Sequence, residues 1–195
     1  MSKILINPTS GSMGVEIHNV DLSKELSDSL FSEIRETFIE HGLIFFREQE
    51  LTPDDHLRFA KRWGEININR FFAKVEGYDQ IAEVRKDPDQ KINIGGAWHT
   101  DHSYDQVPAM GSILLAKETP KIGGDTLFAN MYRAYETLSD GMKKTLEAMK
   151  ACHSSRHVFG AHTGYSEASN QRIGNPELAT QDAIHPVIIP HPESK

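Results

Sequence analysis

Cysteine is nearly missing from this chain: Cys152 is the one thiol in 195 residues, which excludes an internal disulfide and fits a reducing compartment. Long hydrophobic runs are missing as well. The opening MSKILINPTS holds a single short apolar patch, too short for a signal-peptide core. No stretch approaches the roughly 20 apolar residues of a membrane-spanning helix. There is no surplus of positive charge, since 21 basic against 28 acidic residues leave a net −7. That balance argues against a general affinity for nucleic acid or an anionic membrane, though it leaves room for a local basic pocket. Internal repeats and low-complexity tracts are also lacking. The expected setting is cytoplasmic, with neither nucleic acid nor membrane as a partner.

What is present fits one globular domain by length, with 38% hydrophobic and 25% charged residues. Val15 and Ile17 alternate with polar neighbours and predict a short strand. Leu30, Ile34, Phe38 and Ile39 form an apolar stripe over a predicted helix from about Ser29 to His41, with Asp28 as cap and Gly42 as stop. Leu43 to Phe46 reads as a buried strand. Thr52-Pro53 opens a second helix whose inner face is Leu57, Phe59, Ala60 and Trp63. The pattern then changes to short apolar stretches at Ile81–Val84, Gly111–Ala116 and Thr126–Ala129, punctuated by Gly95-Gly96, Pro108 and Gly123-Gly124. Helices are expected over Met131–Leu138 and Gly141–Ala151, a loop over Ser154–Asp182, and a last strand over His185–Ile189. This order predicts an α+β fold with antiparallel sheets of sandwich or jelly-roll type. The candidate strands fall short of the about eight that a jelly roll uses.

Ten histidines make metal chemistry worth testing. The segment that carries it is Trp98-His99-Thr100-Asp101. In an extended chain, residues two apart point to the same side, so His99 and Asp101 can set a ring nitrogen and a carboxylate oxygen on one ion. With one further histidine they would make a 2-His-1-carboxylate facial triad, which leaves adjacent positions open on iron(II). The motif alone is weak, because such a triplet arises by chance about once in a chain of this composition.

Its surroundings are more specific. The run WHTDHSYDQVPAMGSILLAKETPKIGGDTLFAN resembles the TauD/TfdA dioxygenase family, including its Gly123-Gly124-Asp125-Thr126 turn. Further landmarks are Gly14-Val15-Glu16-Ile17, Asp21-Leu22, Leu43-Ile44-Phe45-Phe46-Arg47 and Trp63-Gly64-Glu65. Beyond the metal segment they continue through Ala134-Tyr135-Glu136 and Leu138-Ser139 to His185-Pro186-Val187 and His191-Pro192. The resemblance thus covers essentially the whole chain.

The resemblance implies a double-stranded β-helix (jelly-roll) core with flanking helices, incomplete at the C-terminus. It implies Fe(II) and 2-oxoglutarate as cofactor and cosubstrate. The reaction would be oxygen-dependent hydroxylation of a small organic anion, with release of succinate and CO2. His99 and Asp101 would be two of three metal ligands, and the catalytic pair. Thr126 would give a hydroxyl to the 2-oxoglutarate carboxylate, against a plain role at the start of a strand. Trp98 would pack beside the metal. Asn69, Phe72, His102, Tyr104 and Phe159 would wall the substrate pocket, with ordinary packing as the alternative for each. Taurine-cleaving members carry histidine where this chain has Asn69 and asparagine where it has Gly95, so taurine itself is not the expected substrate. His153-Ser154-Ser155-Arg156 and Val158-Phe159-Gly160 are more similar to the aryloxyalkanoate branch. Arg156 could meet an anion, although a surface salt bridge is the simpler role.

In the family, a distal histidine and a 2-oxoglutarate-binding arginine lie far downstream. The resemblance therefore implies that the chain is cut short at Lys195 and does not complete an iron site alone. Its apolar sheet edges are expected to need cover, by a further segment or by self-association into a homo-oligomer. Two other classes compete. A zinc hydrolase could use His153, His157 and His162 with a water, although no general base stands at a suitable spacing. A non-catalytic jelly-roll binding module would bind no metal and turn nothing over. Zinc dependence without 2-oxoglutarate would favour the first, and absence of both metal and turnover even after the missing C-terminal part is restored the second.

Overall fold

The computed structural model describes residues 4–9, 11–91, 93–160 and 173–194. They form two compact units.

The first unit draws on Met1–Trp63, Leu114–Glu147 and Ile188–Lys195. β1 (Leu5–Pro8) pairs antiparallel with β2 (Val15–His18), and β2 pairs parallel with β3 (Ile44–Phe45). Between β2 and β3 runs α1 (Asp28–His41). Its cap is Ser27, whose side chain accepts the Leu30 N–H, one residue before the expected Asp28. Asp28 instead pairs with Arg62 at 2.8 Å. Gly42 closes the helix at φ 70°, and its N–H donates to the Phe38 carbonyl, the left-handed ending that glycine adopts without a Cβ clash. The buried stripe is Phe31, Ile34 and Thr37. It sits slightly to one side of the expected Leu30–Ile34–Phe38 line, and the Thr37 hydroxyl is satisfied by the Glu33 carbonyl at 2.8 Å.

α2 (Pro53–Trp63) begins with a reciprocal cap. The Thr52 hydroxyl accepts the Asp55 N–H at 3.2 Å, and the Asp55 carboxylate accepts the Thr52 N–H at 3.0 Å. The core joins Ile4, Val15, Ile17, Val20, Leu22, Phe31, Ile34 and Phe59. Trp63 meets Phe31, Phe38 and Phe59 edge to face at 5.2, 5.3 and 5.8 Å. α3 (Met131–Glu136) and α4 (Asp140–Glu147) complete this unit, with Ser139 capping α4 through the Met142 N–H.

The second unit draws on Gly64–Ile113 and Ala148–Val187. β4 (Lys74–Val75) and β5 (Tyr78–Ala82) form a hairpin. β6 (Lys150–Ser154) pairs antiparallel with β7 (Asp182–Pro186), from Lys150 opposite Pro186 to Ser154 opposite Asp182. α5 (Arg156–Phe159) and a 3-10 turn at Pro176–Leu178 lie between these strands. Its core is Phe71, Tyr104 and Ala179, with Phe159 and Ile173 against it.

The mixed α+β class is as expected, but the described residues form three small sheets and close no barrel. Gly111–Ala116 and Thr126–Ala129 form no strand. Leu114 and Leu127 are 76% and 72% exposed, so the apolar pattern there is not turned onto a neighbouring strand within the described residues. The helix expected to run to Ala151 ends at Glu147, because Lys150 and Ala151 join the ladder with β7. The last strand, expected over His185–Ile189, spans Asp182–Pro186 and finds its partner, β6, earlier in the chain. Among the described residues no helix is long and apolar enough to cross a membrane.

Candidate metal centre

The centre lies in the second unit, on irregular backbone between Gly95 and Asp105. His99 and Asp101 do not sit on a strand as the alternation argument supposed: His99 follows a bend, and Asp101 opens a turn. They nevertheless converge, with His99 Nε2 3.3 Å from Asp101 Oδ1. Two donors each about 2.1 Å from one ion and at right angles lie about 3 Å apart, so this pair fits two neighbouring positions of a metal shell.

The free atom on each donor is set by a second contact. His99 Nδ1 lies 2.7 Å from the Ala97 carbonyl. A carbonyl only accepts, so Nδ1 carries the proton, and in the neutral ring Nε2 offers its lone pair. The Ser112 hydroxyl donates to Asp101 Oδ2 at 3.1 Å, leaving Oδ1 toward His99. Gly95, at φ +71°, packs against the imidazole, and a Cβ built there would stand 3.2 Å from His99 Cε1. Glycine suits this place on both counts: it adopts the left-handed backbone freely, and any Cβ would press the ring back by a few tenths of an ångström. The side chains of His99 and Asp101 are 54% and 60% exposed. Trp98, expected to pack beside the metal, is 70% exposed, because the bend after Ala97 leaves it outside both cores. Among the described residues no three His, Cys, Asp or Glu side chains group closely enough to hold an ion.

Beyond Asp101 the same turn enters an aromatic cluster. Phe71 is 1% exposed, stacks on Phe159 at 4.0 Å and meets Tyr104 edge to face at 6.3 Å. Phe72 meets Phe159 at 6.2 Å. The Asn69 side chain accepts the N–H groups of Phe71 and Phe72 at 2.8 and 3.0 Å, which shapes the turn presenting both rings. His102 lies 5.6 Å from the Tyr104 ring and within 3.2 Å of Asp105 Oδ2. The five expected pocket residues, Asn69, Phe72, His102, Tyr104 and Phe159, are therefore brought together. In this unit Asn69 holds backbone N–H groups, and Tyr104 and Phe159 pack on Phe71.

The sequence reading passed over Phe71, Arg70, Asp105 and Ser112. Arg70 Nη2 reaches Asp105 Oδ1 at 2.6 Å, and its guanidinium stands 5.8 Å from the Tyr104 ring centre. Burial acts to raise the Asp105 carboxyl, but hydrogen bonds from Arg70 and His102 prevail and hold it below the ordinary 3.8. Burial pushes the Tyr104 phenol above its ordinary 10.0, with the Arg70 charge opposing. The signal for Asp105 was its place in the same short run as the metal motif, DHSYD.

Thr126 belongs to the first unit, exposed on irregular backbone after the left-handed pair Gly123 and Gly124, at φ 77° and 80°. Arg156 pairs with Asp182 at 3.4 Å and donates to the Thr180 carbonyl at 2.9 Å, in line with the salt-bridge role. His153 lies on β6 with its ring 5.5 Å from that of His185, and His157 lies on α5. His162, the third histidine of the hydrolase reading, falls outside the described residues.

His99 and Asp101, two positions apart and each with a second contact on its other polar atom, thus stand close enough to serve as neighbouring donors. The chain matches the Taurine catabolism dioxygenase TauD, TfdA family over residues 5–195 and belongs to it. It is 31% identical to an alkylsulfatase of Acinetobacter baylyi, covering 100% of this chain and 64% of that protein. It is 29% identical to the (S)-phenoxypropionate/alpha-ketoglutarate-dioxygenase of Delftia acidovorans, over 97% of this chain and 68% of that one. The crystal structure of a taurine dioxygenase from Burkholderia xenovorans superposes with a TM-score of 0.76 at 27% identity, covering 98% of this chain and 60% of that chain. The chain thus spans about two thirds or less of the length of these relatives.

Proposed function

We propose that the chain serves an Fe(II)- and 2-oxoglutarate-dependent dioxygenase reaction in which a small organic anion, of sulfonate, sulfate-ester or aryloxyalkanoate type, is hydroxylated by O2. The keto acid is split to succinate and CO2 in the same turnover. The observation that carries this reading is the 3.3 Å approach of His99 Nε2 to Asp101 Oδ1. Family membership and the relatives named for alpha-ketoglutarate-dependent chemistry support it. The small sheets are read as parts of a double-stranded β-helix.

Iron(II), when bound, would supply activation of oxygen by the keto acid. The chain's own contribution is placement. His99 and Asp101 offer adjacent donors, the Ala97 carbonyl fixes the imidazole tautomer, and Ser112 fixes the carboxylate rotamer. Phe71 and Tyr104 form a buried apolar backing beside the turn, and the partly exposed Phe72 and Phe159 in front of it are suited to seat the carbon skeleton of an anion. Asn69 shapes this cluster through the N–H groups of Phe71 and Phe72, and His102 flanks Tyr104. Thr126 is read as a hydroxyl donor to the 2-oxoglutarate carboxylate, a role that Thr126→Val tests by itself.

The decisive experiment adds Fe(II) and 2-oxoglutarate, without air, to the chain extended by a C-terminal segment that carries the family's distal histidine and arginine, follows the visible absorption band, then admits O2 and measures succinate. A band and succinate, both lost in His99→Ala, are expected. Neither signal above an iron-only control would refute the reading and leave a binding module. Activity with zinc and no keto acid would favour a hydrolase.

A further inference from the structure

We propose that Asp105 is a positioning residue for the metal pair: it holds His102 in the left-handed region, and that turn presents the Asp101 carboxylate to His99. The inference rests on the reading of His99 and Asp101 as metal donors and extends it to a residue outside the pair.

Four described non-glycine residues have positive φ: Asn19, Glu48, His102 and Asn175. Asparagine takes this region most readily and histidine more often than most side chains, but it is uncommon for any non-glycine residue. His102, at φ 54°, directly follows Asp101, so its backbone sets the direction in which Asp101 leaves the turn. A strained residue persists only where its surroundings over-determine it. Here Asp105 supplies much of that constraint. Its Oδ2 meets His102 Nδ1 at 3.2 Å and its N–H donates to the His102 carbonyl at 3.0 Å. Asp105 is itself held from two sides. Arg70 donates to Oδ1 at 2.6 Å. From β7, His185 Nε2 donates toward the Ser103 and Asp105 carbonyls, at 3.0 and 3.1 Å.

The contrast in exposure gives the direction of the effect. The side chains of His102 and Asp105 are 16% and 13% exposed, against 54% and 60% for His99 and Asp101. The anchored end of the turn is the Asp105 end, and the donors ride on its free side. Partners bonded to the donors themselves typically carry 10- to 100-fold in metal affinity, and a clasp acting one residue away, through His102, is expected at the lower end of that range.

The test is Co(II) binding to the full chain by calorimetry, together with paramagnetic broadening of the His99 ring signals. Asp105→Ala is expected to raise Kd about tenfold or more. Adding His102→Asn in that background is expected to recover part of the loss, since asparagine adopts the left-handed region more readily. An unchanged Kd in Asp105→Ala, or no recovery in the double variant, would overturn the proposal. Should Asp105→Ala fail to fold by thermal melting, Arg70→Gln keeps the carboxylate and removes one support. A severalfold rise in its Kd is expected, and no rise would equally overturn the proposal. If the unaltered chain binds Co(II) no better than His99→Ala, the donor reading falls and takes this proposal with it. Binding that is intact in the parent and in every Asp105 variant removes the proposal alone.

Discussion

Ser112 and Phe71 show how differently single side chains bear on one centre. Ser112 touches an exposed carboxylate by one hydrogen bond. Ser112→Ala is expected to weaken Co(II) binding about tenfold, measured by calorimetry, while stability to urea stays within about 0.5 kcal/mol. Phe71 is the reverse case. It fills the middle of the second unit's core, and Phe71→Ala should cost about 3–5 kcal/mol by urea unfolding. Gly95→Ala combines a left-handed backbone with a methyl against the His99 ring, and metal binding by this variant should weaken in the same calorimetric titration. The Gly95-Gly96 turn was visible in the sequence. Its pressure on His99 was not, because it depends on how the following four residues bend.

At the scale of elements, caps were the most legible feature. Thr52-Pro53 and Gly42 act as their residue types dictate, since each satisfies helix-end groups locally. The cap of α1 separates two neighbours: Ser27→Ala should lose about 1 kcal/mol in urea unfolding. Asp28→Asn should leave the cap intact, because Asp28 faces Arg62. The strand β6 was misread as the end of a helix because its partner is β7, some thirty residues later. Local periodicity cannot register a ladder formed across such a separation. The approach of His99 to Asp101 was expected on a strand and occurs instead on irregular backbone. Two donors separated by one residue converge in a strand, and here they converge on a bend held by Ala97, Ser112 and the turn after Asp101.

Over the whole molecule, several carboxyls are held below the ordinary 3.8. Asp21 is lowered to about 2 by hydrogen bonds from Ser23 and then Lys24. Asp55 is lowered chiefly by Thr52, Asp182 by Ser154 and then Arg156, and Asp105 by Arg70 and His102 against its burial. A depressed carboxyl stabilises the fold fully above its unfolded value and loses that contribution as pH falls through the folded value. The melting temperature should therefore hold steady down to about pH 5 and fall from the ordinary carboxylate value toward about pH 2. A fall that began near neutral pH would point to histidines instead. Asp105→Asn should flatten part of the acid limb.

The openness of His99 and Asp101 has one more consequence, for which ion they keep. Donors that stand more than half in water let an ion exchange readily with its surroundings, and imidazole with carboxylate binds later first-row metals more tightly than iron(II). Occupancy would then follow the intrinsic affinity order of the metals rather than any selection for iron by the site. Traces of copper or zinc in a buffer should displace iron, and a chelator should empty the site within the dead time of mixing.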